Sequence, residues 1–299
     1  MRFDGVVRFM EPMRKHSSLK IGGPADIFIM PHDPASLKEL LIALKREDIP
    51  YLTLGGGTNV LIKDGGINGA VISLKSLKSI EVLNEEEASV QINAEAGVPL
   101  QRLVAYSKEK GLSGLEWLVG IPGLLGGAIC GNAGAFGSEM KDVVVSVWLM
   151  DADGMLNRLR NEDVRFGYRT SNISLKDIVV AGELRLRKDR REDIVSRIER
   201  FMREKRERQP LSESSAGCVF KNPPEMAAGK LIDEAGCKGM KRGDIEVSRV
   251  HANFFINRGH GTASDFMHLM GAVSERVKER FGIKLEPEIK IIGRERAHG

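Results

Sequence analysis

The chain has few cysteines, few aromatic side chains and almost no excess of charge of one sign. Its three cysteines, Cys130, Cys218 and Cys237, form no Cys-x-x-Cys pair. The odd number and irregular spacing argue against a disulfide framework and a zinc site, and they suggest a reducing compartment. The net charge is only +4 over 299 residues. Nucleic-acid-binding proteins usually show a stronger basic excess, so this charge suits phosphorylated small molecules at least as well.

The sequence also has no apolar run after Met1, so we expect no secretory signal. Only the stretch 117–138 is uncharged and long enough to span a bilayer. Its glycine, proline and asparagine residues make a poor helix, so a buried cofactor loop is the better interpretation. We therefore expect a cytoplasmic protein with no membrane partner and no metal site. A length of 299 residues predicts two or three domains.

Glycine is abundant in two places. Eight glycines lie between Gly114 and Gly137, and Gly55, Gly56 and Gly57 follow an apolar run. Each glycine inside a helix or strand costs about 0.5–1 kcal/mol, so such density indicates loops with positive φ and accessible amides. Two such loops suggest a cofactor that has a diphosphate and a flat ring, although tight structural turns would also explain the first.

Neither loop matches a common nucleotide-binding fingerprint. The first lacks the G-x-G-x-x-G pattern, and Gly229-Lys230 lacks the rest of a P-loop. Both a Rossmann site and a P-loop nucleotidase are therefore disfavoured. A nest of backbone amides can still bind a pyrophosphate without either motif.

Hydrophobic periodicity predicts a mixed α and β chain. Strands 26–30, 51–54 and 69–74 with a helix over 34–48 suggest a βαβ unit whose first glycine loop follows a strand, where open sheets bind ligands. Further expected elements are strands 80–83, 90–94, 143–150, 155–160, 178–187, 253–257 and 289–292, and helices 100–110, 227–234 and one capped by Thr262 and ended by Gly282.

Residues 185–208 carry eleven basic and six acidic side chains. Apolar residues at helical spacing predict an amphipathic helix with a solvated, charged face. A nucleic-acid surface is the alternative interpretation. It lacks nearby aromatic residues for base stacking, and a steep salt dependence of nucleic-acid binding would favour it.

Four polar segments are candidate sites. Arg169, beside Tyr168, could hold a carboxylate at two points, or simply lie at the surface. Cys218 precedes Lys221-Asn222, but a buried structural thiol is the ordinary interpretation of a lone cysteine. His251 enters a predicted strand. Glu288 precedes an apolar run, where partial burial would perturb its pKa, and an ordinary surface glutamate is the alternative.

Taken in order, these segments resemble the UDP-N-acetylenolpyruvoylglucosamine reductases of bacterial cell-wall synthesis, the MurB family. The resemblance runs from about Leu19 to Gly293. It rests on Gly-Gly-Gly-Thr-Asn-Val-Leu, Gly-Ile-Pro-Gly…Gly-Asn-Ala-Gly-Ala-Phe-Gly, Tyr-Arg, Gly-Cys-Val-Phe-Lys-Asn-Pro, Ala-Gly-Lys-Leu-Ile and Pro-Glu. Several motifs in one order are far more specific than any single motif.

The resemblance implies an FAD-dependent oxidoreductase that uses NADPH to reduce UDP-N-acetylglucosamine enolpyruvate to UDP-N-acetylmuramate. By similarity, Arg169 and Glu288 polarise the substrate and Cys218 donates a proton, because negative charge develops beside the substrate carboxylate. The implied cofactor-binding residues are Gly55, Gly56, Gly57, Thr58, Asn59, Val60, Gly120, Ile121, Pro122, Gly123, Gly126, Gly127, Asn132, Gly134 and Ala135. The implied substrate-binding residues are Tyr168, Arg208, Asn222, Lys230 and His251.

The chain departs from a common form of this family at Cys218, where serine is frequent. A thiol has a reference pKa of about 8.5, so it is a competent acid. The segment between Tyr168 and Gln209 is also short, which is typical of the compact subgroup and leaves open what covers the substrate.

The resemblance implies an α+β fold of the MurB and vanillyl-alcohol-oxidase type. It has a two-part FAD-binding region, residues 1–75 and 76–204, and a substrate-binding domain, residues 205–299, whose last strand packs back near the flavin. We expect small-molecule partners, no nucleic acid and a monomer. A flavin oxidase or dehydrogenase with another acceptor is the enzymatic alternative. It would have no reason to pair Cys218 with Pro287-Glu288.

Overall fold

The computed structural model describes residues 3–174 and 176–296. The chain forms two compact units. Unit 1 comprises residues 1–8, 27–56 and 69–204, and unit 2 comprises residues 9–26, 57–68 and 205–299. Each unit has its own buried apolar core.

In the described residues the α-helices are α1 (Pro34–Arg46), α2 (Leu100–Lys110), α3 (Leu125–Cys130), α4 (Arg191–Arg208), α5 (Ala228–Glu234) and α6 (Ala263–Phe281). The strands are β1 (Gly5–Pro12), β2 (Pro24–Pro31), β3 (Tyr51–Leu54), β4 (Val60–Ile62), β5 (Ile67–Ser73), β6 (Ile80–Glu85), β7 (Ser89–Glu95), β8 (Leu112–Ser113), β9 (Gly134–Ala135), β10 (Ser138–Glu139), β11 (Val144–Met150), β12 (Leu156–Arg160), β13 (Ile178–Lys188), β14 (Ser215–Cys218), β15 (Lys241–Arg242), β16 (Ile245–Val247), β17 (Phe254–Asn257) and β18 (Lys290–Ile292).

A small sheet with strand order β1-β2-β5-β3 begins unit 1. Asp33 caps α1 by accepting a hydrogen bond from Ser36 N at 2.7 Å, and Pro34 suits the first helical position. The leucines of α1 recur at helical spacing and are buried. Strands β3 and β5 are parallel, with Leu54 opposite Ser73. The first glycine loop therefore leaves the carboxyl end of a parallel strand, as predicted.

A larger sheet of unit 1 has the order β12-β11-β13-β7-β6, and β8 also pairs with β13. All of its pairings are antiparallel. Helix α3 packs closely on this sheet. A Cβ at Gly126 would lie 2.9 Å from Ala96 Cβ, and one at Gly182 would lie 2.7 Å from Ile129 Cδ1. These two glycines therefore serve close packing, which sets the position of the second glycine loop.

Unit 2 is built on the antiparallel sheet β14-β17-β16-β15. Phe220, Phe255 and Phe266 are fully buried in its core. Thr262 and Asp265 form a capping box at the start of α6, and Gly282 ends that helix with φ +70°. The last strand, β18, pairs in parallel with β4, which directly follows the first glycine loop.

The segments 9–26 and 57–68 belong to unit 2, whereas the sequence places them in the first predicted domain. The reason is long-range packing. Leu19, Ile21 and Leu61 join the core of unit 2, and β4 pairs with β18, near the end of the chain. The division into three functional domains stays a prediction.

Most of the expected elements are confirmed, including α1, α2, the α6 caps and the hairpin of β11 and β12. Two expectations are wrong. The charged helix begins at Arg191, because residues 185–188 extend β13. The second glycine loop is not all loop, since it contains α3.

Candidate functional site

Within unit 1, the start of the first glycine loop lies next to the second glycine loop. A Cβ added at Gly55 would lie 3.8 Å from Gly127 Cα. Gly127 is exposed, and a Cβ there would meet none of the described atoms within 4 Å. The backbone of Gly127 therefore borders open space, which a site for a flat or anionic ligand requires.

The second loop is shaped by its own backbone conformation and by the protein around it. Gly120 and Gly123 have φ +73° and +131°, a region that side chains rarely adopt. The Gly126 amide donates to Ala96 O at 2.9 Å, so that amide serves the fold. Gly134 and Ala135 form the short strand β9, and Ile121 N donates to Leu118 O.

Asn132 is fully buried, and its side chain is engaged by protein groups. Its Nδ2 donates to Glu139 Oε2 and to Gly167 O, both at 3.0 Å. Its Oδ1 accepts from Lys141 N at 3.1 Å. The side chain therefore maintains the shape of the second loop, and only its backbone remains as a route to a cofactor.

Arg169 lies in a turn that is tied to the second glycine loop. We call residues 166–171 the arginine loop. Gly167 N donates to Thr170 O across the turn, and Arg169 has φ +57°. Its Nη2 donates to Gly134 O at 3.0 Å, and its Cζ lies 5.3 Å from the Tyr168 ring centroid. Ser171 Oγ adds a hydrogen bond to Cys130 O. The guanidinium is thus held in one orientation, and Tyr168 remains 47% exposed.

Glu139 is a functional candidate that the sequence analysis missed. A hydrogen bond from Lys141 holds the pKa of Glu139 below its ordinary value, and Asn132 and the charge of Arg169 act in the same direction. Glu139 Cγ and Arg169 Nη1 both approach Gly134, at 2.8 and 3.3 Å from a Cβ built there. A carboxylate therefore lies beside the guanidinium. In the sequence, this candidate is visible only as a glutamate five residues after Gly134.

The rest of the first glycine loop belongs to unit 2. Gly57 has φ +67°, and a Cβ there would lie 1.9 Å from His16 O. Its own carbonyl accepts from Ser18 N at 2.9 Å. Asn59 Nδ2 donates to Glu288 O at 3.3 Å, and Lys290 N donates to Asn59 O. Val60 lies opposite Lys290 in the parallel pair. The loop is therefore joined to the segment that carries Glu288.

Cys218 and Glu288 also lie on neighbouring segments of unit 2. We call residues 215–222 the cysteine segment. Glu288 N donates to Val219 O at 2.8 Å, and Phe220 bridges to Pro287. Both Cys218 and Glu288 are half-buried. Gly217, with φ +75°, precedes Cys218, and a Cβ added there would meet none of the described atoms within 4 Å, its chain neighbours aside. The structure thus brings together two predicted catalytic residues that are 70 positions apart in the sequence.

The predicted substrate-binding residues of unit 2 lie around α5 and at the end of α4. Asn222 Oδ1 accepts from Ala228 N at 3.0 Å, so it holds the start of α5. Lys230 is exposed, 3.7 Å from Glu234. The ring of His251 approaches Gly229, and burial lowers its pKa. Arg208 is exposed at the end of α4.

Two further polar side chains support the cysteine segment. Ser18 Oγ donates to Ser215 O at 2.6 Å, and Asn253 pairs with Phe220 through both of its amide atoms. Asn253 belongs to the polar segment at 251–257, which is the signal that could have found it. Ser18 had no such signal, because its partners are distant in sequence.

Two features suit FAD in particular. Gly127 presents exposed backbone next to open space, as a flat ring system needs, and the tight turn at Gly57 admits no side chain. Among the described residues, no group of three or more His, Cys, Asp or Glu side chains is placed to hold a metal ion. No helix in the described part of the chain is long and apolar enough to cross a membrane.

Comparison with known proteins gives a consistent result. A family profile of the UDP-N-acetylenolpyruvoylglucosamine reductase C-terminal domain matches residues 209–292, and one of an FAD binding domain matches residues 25–160. The UDP-N-acetylenolpyruvoylglucosamine reductases of Syntrophus aciditrophicus and Geotalea uraniireducens are 40% and 42% identical over 97% of this chain, which is 93% and 95% of theirs. The crystal structure of UDP-N-acetylenolpyruvylglucosamine reductase from Thermus caldophilus has a TM-score of 0.80 at 33% identity, covering 97% of this chain and 99% of its own.

These findings confirm the predicted α+β fold with an FAD-binding region. The individual cofactor-binding, catalytic and substrate-binding residues stay predictions. With both family models matched and 97% of the chain aligned, the protein belongs to the UDP-N-acetylenolpyruvoylglucosamine reductase family and is an FAD-dependent oxidoreductase.

Proposed function

We propose that this enzyme uses NADPH to reduce UDP-N-acetylglucosamine enolpyruvate to UDP-N-acetylmuramate. The substrate class is supported by the names of relatives that align over 97% of the chain. The observation that carries the proposal is the pairing of the Cys218 and Glu288 segments next to Asn59 of a glycine loop. An acid and a carboxylate at a cofactor loop fit the reduction of a vinyl ether better than they fit an oxidase.

FAD, when bound, would supply the hydride chemistry that links NADPH oxidation to reduction of the vinyl ether. Negative charge then develops on the pyruvyl carboxylate and the adjacent carbon. Arg169 meets that charge with a planar guanidinium, whose orientation Gly134 O and Tyr168 restrict. A preorganised cation needs no rearrangement as the charge appears, which is the main source of this kind of stabilisation.

Cys218 delivers a proton to the carbon beside the carboxylate. Cys218 is only half-buried, and its pairing opposite Phe254 at the end of β14 fixes its backbone. A positioned proton donor typically contributes a factor of about 10²–10⁴ in rate. Glu288 is assigned to polarising the substrate.

The two glycine loops are assigned to holding the cofactor through their backbone groups. In unit 1 the exposed backbone of Gly127 faces open space, and in unit 2 Gly57 forms a turn that admits no side chain. Tyr168, Arg208, Asn222, Lys230 and His251 are assigned to the sugar nucleotide or NADPH. A cytoplasmic location and a monomeric state are part of this proposal.

Purified protein tests the proposal in two steps. We expect a yellow flavin spectrum, with FAD released on denaturation, and NADPH consumption that requires the enolpyruvyl nucleotide and yields the lactyl product in equal amount. A colourless protein would overturn the cofactor assignment. Consumption of NADPH that depends on oxygen and ignores the nucleotide would indicate an oxidase instead.

A further inference from the structure

We propose that Asn253 is a positioning residue that fixes Cys218 relative to Glu288. The inference rests on the proposed function, in which Cys218 is the proton donor. Asn253 immediately precedes β17, and it is 1% exposed. Its side chain reaches the cysteine segment two residues beyond the thiol.

Asn253 binds both backbone polar groups of a single residue, Phe220. Its Oδ1 accepts from Phe220 N at 2.9 Å, and its Nδ2 donates to Phe220 O at 2.8 Å. Its backbone carbonyl also accepts from Val219 N at 2.8 Å. Three hydrogen bonds therefore hold the two residues that follow Cys218.

The regular ladder is interrupted at this point, which explains why a side chain is needed. The pairing of β14 with β17 shifts register between Ser215 and Cys218, and Cys218 lies opposite Phe254. Beyond Cys218 the amide of Asn253 offers a donor and an acceptor, as a backbone peptide would.

Val219 and Phe220 also pair with the segment that contains Glu288. Val219 O accepts from Glu288 N at 2.8 Å, and Phe220 bridges to Pro287. The residues Val219 and Phe220 thus form a middle chain between Asn253 and the glutamate. Loosening Asn253 leaves buried backbone groups of Phe220 without partners, so the middle chain moves and takes Cys218 with it.

Asn257 provides a matched control at the other end of β17. It is also buried, and its Nδ2 donates to Leu19 O at 2.9 Å. Its Oδ1 accepts from Gly259 N and Gly261 N, both at 3.0 Å. Asn257 therefore has a comparable set of hydrogen bonds, but none from its side chain reaches the cysteine segment.

The experiment compares Asn253→Ala and Asn253→Asp with Asn257→Ala in the FAD-loaded protein. The first readout is the iodoacetamide alkylation rate of Cys218, measured by mass spectrometry relative to half-buried Cys130. We expect that ratio to rise about tenfold in the Asn253 variants and to stay within about twofold of wild type in Asn257→Ala.

The second readout separates the two half-reactions. Reduction of the flavin by NADPH should keep its wild-type rate in the Asn253 variants, whereas reoxidation by the enolpyruvyl nucleotide should slow about tenfold. Asn253→Asp retains an acceptor, so it serves if Asn253→Ala does not fold. Equal alkylation ratios in the Asn253 and Asn257 variants would overturn the inference. Absence of turnover in wild type would refute the proposed function, while alkylation still decides the position of Cys218.

Discussion

The arginine loop and the cysteine segment hold their key side chains in different ways. Arg169 has a positive φ, as do Asn132 and Phe136 in the adjoining glycine loop. In the described residues 205–296, only glycines have positive φ. Cys218 and Glu288 instead occupy extended segments joined by backbone hydrogen bonds. Unit 1 therefore positions its cation through a strained turn, and unit 2 positions its acid through strand pairing.

This difference has an energetic meaning. A non-glycine residue in the left-handed region costs about 1–3 kcal/mol, and that strain persists only where surrounding bonds enforce it. Around Arg169 those bonds come from Asn132, Ser171 and the guanidinium itself. Loss of the Arg169 side chain should therefore disturb the conformation of the arginine loop itself. The conformation of the cysteine segment should change mainly when its supporting residues are replaced.

Replacement of Gly57, in the first glycine loop, by alanine should have the largest effect on stability and FAD binding. A Cβ at Gly57 would lie 1.9 Å from His16 O, so we expect unfolding to be easier by about 3 kcal/mol or more, with loss of FAD. Gly236→Ala is the control, because its φ of +72° is similar and its surroundings are open. Urea unfolding and FAD titration measure both. Equal losses in the two variants would contradict a steric role for His16 O.

Cys218→Ala tests the cysteine segment directly. Removing the proton donor should slow reoxidation of the reduced flavin by the nucleotide about 10²–10⁴-fold, because no acid then meets the carbanion-like carbon. Reduction by NADPH should be unchanged, since it needs no proton from this thiol. Stopped-flow absorbance measures each half-reaction. Cys218→Ser, which keeps a hydroxyl, should recover part of the rate, and equal slowing of both half-reactions would refute the assignment.

Arg169→Lys tests the arginine loop directly. An ammonium cannot reproduce the planar grip or the bond to Gly134 O while it binds a carboxylate. We expect kcat/KM for the nucleotide to fall about 100-fold, equivalent to about 2.7 kcal/mol. Arg165→Lys, at the exposed position directly before the arginine loop, is the control. A fall of similar size in both variants would show that the effect is not specific to Arg169.

The smallest expected effect concerns the stability of unit 2. Burial lowers the pKa of His251 below its ordinary value, so the folded state disfavours the charged ring. The stabilisation is present above about pH 6.5 and is lost as the pH falls through the lowered pKa, because the unfolded chain then takes up a proton. Thermal unfolding at pH 8 and pH 5.5 should show a larger drop for wild type than for His251→Asn. The same drop in both proteins would contradict this account.

Local signals were enough to predict much of the fold. The leucine spacing of α1, the glycine after α2 and the threonine before α6 each fix a helix through neighbours in sequence. The motifs also led to the family. Long-range pairings were not predictable in this way, since β4 has no partner until β18, more than 200 residues later.

The geometry of the candidate site was less accessible from sequence than its residue types. Arg169, Cys218 and Glu288 could be named from their motifs, but nothing local shows that Glu288 N bonds to Val219 O. The supporting roles of Glu139, Ser18 and Asn253 depend on partners brought together by folding. Such side chains look like ordinary polar residues until the tertiary structure is known.

The most direct test of the central claim is an anaerobic single turnover. Protein reduced with a stoichiometric amount of NADPH is mixed with UDP-N-acetylglucosamine enolpyruvate, while flavin absorbance and product are followed together. We predict that oxidised flavin reappears as UDP-N-acetylmuramate forms in equal amount. Flavin that stays reduced until oxygen is admitted would contradict the account.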